Sequence, residues 1–384
     1  MAFYLSLKEI WHSKGRFLLI AGIVALITTL VLFTAALAEG LGNGNREYLQ
    51  KLNGELIVYQ SGVDLSIGAS RLGRSTLAQV RRVEGVAEAG QINFTATTLV
   101  FPDAREALDV SLVGVEPGLP GEPPAFQGAA LSRGRANEAV LDRNAALRAN
   151  IKVGDTITVK STQGTKEEFY PLTVVGISDG RQYSLQPSVF VPMQTWEKIR
   201  PSGSQEPSRG ELVSNVIAVR LADPNSLAAV QQRLLAEVKD IEVADRVAAY
   251  EATPGYTAQQ GTLNTQRYFT LLIGVLVIGG FFQIQTLQKV AQIGMLKAIG
   301  ATNSVVGLAA LVQIITVNTL GVAIGAAGSL LLSLTFPVQV PIVFTPDAVV
   351  ATVALLLVIG PIGGLVSVWA LTRVEPLRAL GLAQ

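Results

Sequence analysis

Phe17–Leu37 reads FLLIAGIVALITTLVLFTAAL, a run without a single Asp, Glu, Lys, Arg or His. A helix rises 1.5 Å per residue, so about 20 apolar residues cross a bilayer core of roughly 30 Å. Three more stretches pass the same test: Tyr268–Leu287, Val305–Phe336 and Ala348–Ala370, all without Asp, Glu, Lys, Arg or His. Backbone in lipid must satisfy its own hydrogen bonds, which makes runs of this length helices. The third would be roughly 48 Å long if wholly helical, so it must tilt, break or project beyond the bilayer. Pro361 lies inside the fourth and is expected to kink it, as packed membrane helices tolerate.

Composition agrees with a chain partly in lipid. Only 15% of the 384 residues are charged, against about 25% in soluble domains, and the mean hydropathy is +0.41. Lys and Arg number 30 against 29 Asp and Glu, and the lack of a basic block argues against nucleic acid as a partner. There is no cysteine and one histidine, His12. Thiolate chemistry, Cys-based zinc and His-pair metal sites are therefore excluded. Nor can a Ser–His–Asp triad form beyond the membrane from His12. No catalytic residue, metal or bound cofactor is expected.

Basic residues in short loops set the orientation. Lys8, Lys14 and Arg16 precede the first span, Lys289 and Lys297 lie between the second and third, and Arg373 and Arg378 follow the fourth. Pro337–Asp347 has neither Lys nor Arg. Both termini and the second-to-third loop are thus expected in the cytoplasm of a multi-pass protein of the cell (inner) membrane. Ala36-Leu37-Ala38 resembles a signal-peptidase site, but the apolar run before it exceeds the usual signal length. Ahead of the first span, Phe3, Leu7, Ile10 and Trp11 with Lys8 and Lys14 suit an amphipathic helix on the inner leaflet.

Everything from Glu39 to Arg267 then lies outside, and it reads as globular sequence. Short apolar runs predict strands at Glu55–Tyr59, Thr156–Val159, Leu172–Ile177, Ser188–Val191 and Val216–Val219. Helical periodicity covers Ser75–Val83 and Ser226–Val238, the latter after the start signal Asp223-Pro-Asn-Ser226. An α+β domain of two lobes follows, with exposed loops at Pro117–Pro124 and Pro201–Gly210. Glu39–Leu52 and Tyr256–Tyr268 are helix-compatible extensions of the neighbouring spans, although Gly40, Gly42 and Gly44 oppose the first.

Gly68-Ala-Ser-Arg-Leu-Gly73-Arg74-Ser75 nearly matches a phosphate-binding loop, but Arg replaces Lys and no buried strand leads in. The chain is therefore expected to bind no nucleotide. The spans hold only neutral polar residues, among them Gln283, Gln285, Gln313 and Asn318, suited to hydrogen bonds between helices. Gly321, Gly325 and Gly328 on the third span, and Gly360, Gly363 and Gly364 on the fourth, offer small faces for close packing. Energy for any work must come from elsewhere.

Between the second and third spans, Gln288–Ser304 carries Ile293, Leu296, Ile299 and Met295 as an apolar side, Lys297 on a polar one, and Gly300 placed to end a helix. Such a helix lies on a membrane or docks in a partner's groove. Gln292-Ile-Gly-Met-Leu-Lys-Ala-Ile-Gly-Ala-Thr302 resembles the coupling segment of FtsX-like/MacB-type ABC permeases. Glu138-Ala-Val-Leu-Asp142, Ile151–Val159 and Leu172–Ile177 resemble the family's MacB-like core domain, and Arg373–Gly381 its C-terminal ending. The single-unit layout is similar to the DevC-like branch. Gln292 departs from the family's usual Glu, which puts any ionic contact of that acid in doubt.

The resemblance implies a membrane α-helical fold of four transmembrane helices, with a large extracytoplasmic α+β domain between the first two. The layout is 1–16 amphipathic helix, 17–38 first span, 39–266 core domain, 267–288 second span and 289–304 coupling helix. It continues as 305–336 third span, 337–347 external loop, 348–372 fourth span and 373–384 cytoplasmic tail. The resemblance further implies a dimer of this chain on separate ATPase subunits that bind the ATP, with membrane lipid around it and an outer adaptor as a further partner. Force would pass through Gln292, Ile293, Gly294, Met295, Leu296, Lys297, Ala298 and Gly300, the apolar ones seated in the ATPase. The output is then export or release of a lipid, peptide or drug-like substrate. An envelope scaffold, or an FtsX-like regulator of cell-wall hydrolases, is the alternative.

Overall fold

The computed structural model describes residues 11, 14–102, 106–132, 134, 136–201, 213–288, 290–336, 340 and 342–372. The inner-leaflet helix expected over 1–16 falls mostly outside them, as do 202–210 of the expected loop, residues 337–339 and 341, and the tail from 373. Two compact units divide the chain: one holds 41–259, the other the flanking residues.

Among the described residues, four helices are long and apolar enough to span a membrane: Lys14–Gln50, Tyr256–Gln288, Asn303–Ser333 and Pro346–Thr372. The third starts two residues before the expected Val305, because the Thr302 hydroxyl accepts the Val305 N–H as an N-cap. It stays helical for 31 residues. The fourth continues through Pro361.

The first of these helices runs on to Gln50 through Gly40, Gly42 and Gly44. Weak local propensity there is overruled by packing. A Cβ on Gly44 would meet Leu185 at 2.9 Å, while Tyr48 and Leu49 are fully buried and the Tyr48 hydroxyl donates to the Gly121 carbonyl at 2.8 Å.

Ten strands build the unit 41–259: β1 Leu56–Gln60, β2 Val86–Val100, β3 Leu108–Val115, β4 Ala125–Gly128, β5 Glu138–Leu141, β6 Thr156–Gln163, β7 Lys166–Ser178, β8 Ser188–Pro192, β9 Val216–Leu221 and β10 Ile241–Asp245. All five runs expected as strands fall on them. The pairing order is β10-β1-β9-β2-β3-β8-β5-β7-β4, and β6 bridges β2 to β7. Six strands (β2, β3, β8, β5, β7, β6) therefore close into a ring, which removes the edges that open sheets leave unpaired. Leu99, Leu112, Leu141, Ile157, Leu172 and Val189 pack together as its core.

β2 joins ring and open sheet. Its first half pairs with β9, its last residues Thr98–Val100 with β6. Beside the ring, one face of β10-β1-β9-β2 is covered by helices Arg74–Val80 and Leu227–Glu237 through Leu77, Val80, Val230 and Leu234. The other carries Ile57, Tyr59 and Ile92 against Tyr48 and Leu49. Asp142 lies buried between lobes of this core. It caps helix Arg143–Ala149, accepting from Asn144 and Ala145, and also takes the Ser188 N–H at 3.1 Å. Burial pushes its carboxyl up to about 6, against the pull of those three donors.

Candidate functional site

The connection between the second and third long helices is a short helix, Val290–Ala298, followed by a sharp corner. Gly300 takes φ +107°, a conformation that suits residues without a Cβ. Its N–H bonds the Lys297 carbonyl and the Ala301 N–H bonds Leu296, each at 3.0 Å. That is the paired hydrogen-bond pattern of a Schellman stop. Thr302 then opens the next helix as its cap. Two capped helix ends three residues apart leave the corner little freedom.

The corner turns Ile293 inward. It is 7% exposed and packs on Val306, with Ala301 and Ala310 beside it. Gly294 is buried too. Met295, Leu296 and Ile299 are 56%, 38% and 80% exposed, and Gln292 and Ala298 are also exposed. Lys297 is half-buried and engaged within the protein. This corrects the expected apolar side. Ile293 belongs to the protein's own packing, and the exposed stripe is Gln292, Met295, Leu296 and Ile299. Those positions follow i, i+3, i+4, i+7, the spacing of one helix face. Periodicity alone cannot say which of two overlapping apolar faces a neighbouring helix will cover.

The membrane unit that carries this helix is held by close backbone approaches. A Cβ on Gly321 would lie 2.6 Å from Val24, one on Gly325 would strike the Ala25 carbonyl and Thr28, and Gly328 faces Thr29 at 3.3 Å. All three glycines thus turn to the first span, where the Thr29 hydroxyl donates to the Gly325 carbonyl at 3.0 Å. Gly363 meets the Val275 carbonyl at 2.9 Å and Gly279 faces Gly363 in return, joining the second and fourth spans. Gly364 abuts Ile314 of the third. Asn318, 2% exposed, donates to the carbonyls of Leu356 and Leu357 at 3.1 Å.

Sequence reading missed the partners of these glycines, although the small residues Ala21, Ala25, Thr28 and Thr29 recur at helical spacing on the first span. The near-match to a phosphate loop is preceded by turns, not by a buried strand: β1 ends at Gln60, well ahead of Gly68.

Comparison with known proteins covers nearly the whole chain. The family model of the MacB-like periplasmic core domain matches residues 17–237, and that of the FtsX-like permease C-terminal matches 268–376. A hemin transport system permease protein HrtB of Staphylococcus haemolyticus is 26% identical over 384 residues, spanning 98% of this chain and 99% of that one. The protein of the same name from Staphylococcus epidermidis is 25% identical over 383 residues, 99% of each chain. Among solved structures, the periplasmic region of MacB from Actinobacillus actinomycetemcomitans is 14% identical, with a TM-score of 0.36 over 53% of this chain and 95% of that one. The extracellular domain of the ABC-type transporter YknZ gives 12% and 0.35, over 50% of this chain and 100% of that one.

Proposed function

Since the chain belongs to the FtsX-like, MacB-type ABC permeases, we propose that it is the membrane subunit of an exporter driven by a separate cytoplasmic ATPase. The observation that carries this reading is the exposed stripe Gln292, Met295, Leu296 and Ile299 on a helix with a fixed C-terminal corner. A stripe with Met295, Leu296 and Ile299 exposed along one face fits the helix-in-groove mode of recognition. Ile293 and Gly294, packed inward, would carry the push from this helix to the base of the third span.

In this reading the termini and the short helix face the cytoplasm, in line with Lys14, Arg16 and Lys297. Two copies would sit on two ATPase subunits. Closure of the ATPases on ATP would displace the short helices, and the helices Lys14–Gln50 and Tyr256–Gln288, each continuous from one unit into the next, would carry the motion outward. An outer adaptor would extend the path. Gln292 lacks the charge of the family's Glu, so docking rests on Met295, Leu296 and Ile299 instead. For cargo, the names of the two staphylococcal relatives favour hemin or a similar amphiphile over a peptide.

Co-purification with a co-expressed ABC ATPase tests the proposal. Leu296→Asp and Ile299→Asp, both at exposed positions, should abolish the complex and the stimulation of ATP hydrolysis. The assignment is wrong if both variants assemble and stimulate as the wild type does.

A further inference from the structure

Asp179–Pro187, the connection from β7 to β8, folds back onto the C-terminal end of helix Lys14–Gln50. It bonds both groups of one rung of that helix. An uninterrupted helix joins the Gly44 carbonyl to the Tyr48 N–H. Here the Gly44 carbonyl accepts the Leu185 N–H at 2.9 Å, and the Tyr48 N–H donates to the Gln182 carbonyl at 3.1 Å. A Cβ on residue 44 would lie 2.9 Å from Leu185 Cδ2, so glycine leaves the leucine its seat.

The connection is strained to make this contact. Tyr183 and Gln186 exchange both backbone bonds, each 3.1 Å, around a two-residue turn. Its central residues, Ser184 and Leu185, take φ +52° and +63°. Positive φ at both positions is the type I′ pattern, which favours Asn-Gly, and a leucine there is held against its own preference. Polar contacts hold it. Glu47 accepts the Gln182 N–H at 3.2 Å, Lys51 donates to the Gly180 carbonyl at 2.6 Å, and Arg181, 6% exposed, donates to the Lys51 carbonyl at 2.6 Å. Tyr183, packed on Phe94 with ring centroids 4.3 Å apart, roots the turn in the core. On the helix side, Gly40, Gly42 and Gly44 weaken the ladder with which the turn competes.

We infer that Gln182–Leu185 is a latch that seats on and lifts from the Gly44–Tyr48 rung. With the latch seated, the rung is shared and Ser184 and Leu185 stay strained. With it lifted, Gly44 and Tyr48 bond only each other and the strain is relieved, while the polar contacts are given up to water. Gains and losses fall on both sides, the condition for a bistable element. Because the latch continues directly into β7 and β8, its state sets how firmly the first helix grips the ring. That role in force transfer rests on the function proposed above; the two states belong to this chain alone and are tested without an ATPase.

The chain has no cysteine, so nitroxides can be placed at Ser184→Cys, on the exposed tip, and at Glu167→Cys, toward the opposite end of β7. Double electron–electron resonance on frozen, full-length labelled chain in lipid nanodiscs, diluted with unlabelled chain, is expected to show two distances. Gly44→Ala should lower the seated-to-lifted ratio about fivefold, by crowding Leu185 and by the better helix propensity of alanine. Lys51→Met, at an exposed position and without a clash, should lower it about twofold. Both variants should reweight the same two distances without moving either. A single distance shared by wild type and variants overturns the inference, and so does a variant whose distance drifts to a new value.

Discussion

The two units of this chain pack by opposite rules. Between residues 41 and 259 the large aliphatic side chains are inside: Leu56, Ile57, Ile92, Leu112 and Leu141 are completely buried. In the membrane unit many are outside, with Leu18 at 68%, Leu26 at 73% and Leu331 at 66% exposure, while Gly321, Gly325 and Gly363 occupy the contacts. Water drives leucine inward because exposing it is costly. Lipid tails are as apolar as leucine, so helices there gain by close backbone approach and a few hydrogen bonds. One residue type thus carries two meanings, set by the solvent around it.

The largest effect that can break this contrast is Leu112→Ala in the ring core, expected to cost about 2–5 kcal/mol through lost burial and the cavity left behind. Denaturant unfolding followed by hydrogen exchange of the strands would measure it. Gly325→Leu should cost about 1–3 kcal/mol by overpacking against the first span. It should do so in the membrane unit alone, read as lowered resistance to SDS with strand exchange unchanged.

Asp142 tests how far the outside core behaves as a dry interior. Its folded pKa, about 6, lies above the ordinary aspartate value of 3.8. Between these values the folded chain holds a proton that the unfolded chain has released. The carboxyl therefore contributes stability at low pH that is lost as pH rises through this window. At about 1.36 kcal/mol per pH unit this amounts to roughly 3 kcal/mol at most, and Asp142→Asn should flatten that part of the melting profile between pH 4 and 7. The smallest effect sharpens the comparison most: Leu26→Ala, on a lipid-facing surface, should change stability by less than about 0.5 kcal/mol. A cost like that of Leu112→Ala would mean that a second copy of the chain covers this face.

Much of this was legible before any coordinates. A run such as Phe17–Leu37 has one physical solution in a bilayer, Thr156–Val159 alternates as a half-buried strand does, and Val216–Val219 is a short apolar run buried throughout. β2 was passed over because Glu88, Gln91 and Asn93 interrupt its apolar pattern. It stays extended because it pairs with three strands in turn. The apolar side of the short helix was misjudged at Ile293, whose burial depends on Val306 beyond the corner.

The amino-acid sequence alone determined which segments enter lipid, which stay in water and where the short connecting helix stops. Those outcomes depend on neighbours within a few residues, through transfer free energy and backbone conformation. The tertiary structure alone decided that six strands close into a ring, that glycines of the third span face the first, and that the exposed stripe of the short helix is Gln292, Met295, Leu296 and Ile299. Each of these joins groups far apart along the chain, and a contact of that kind has no local signature until packing selects it.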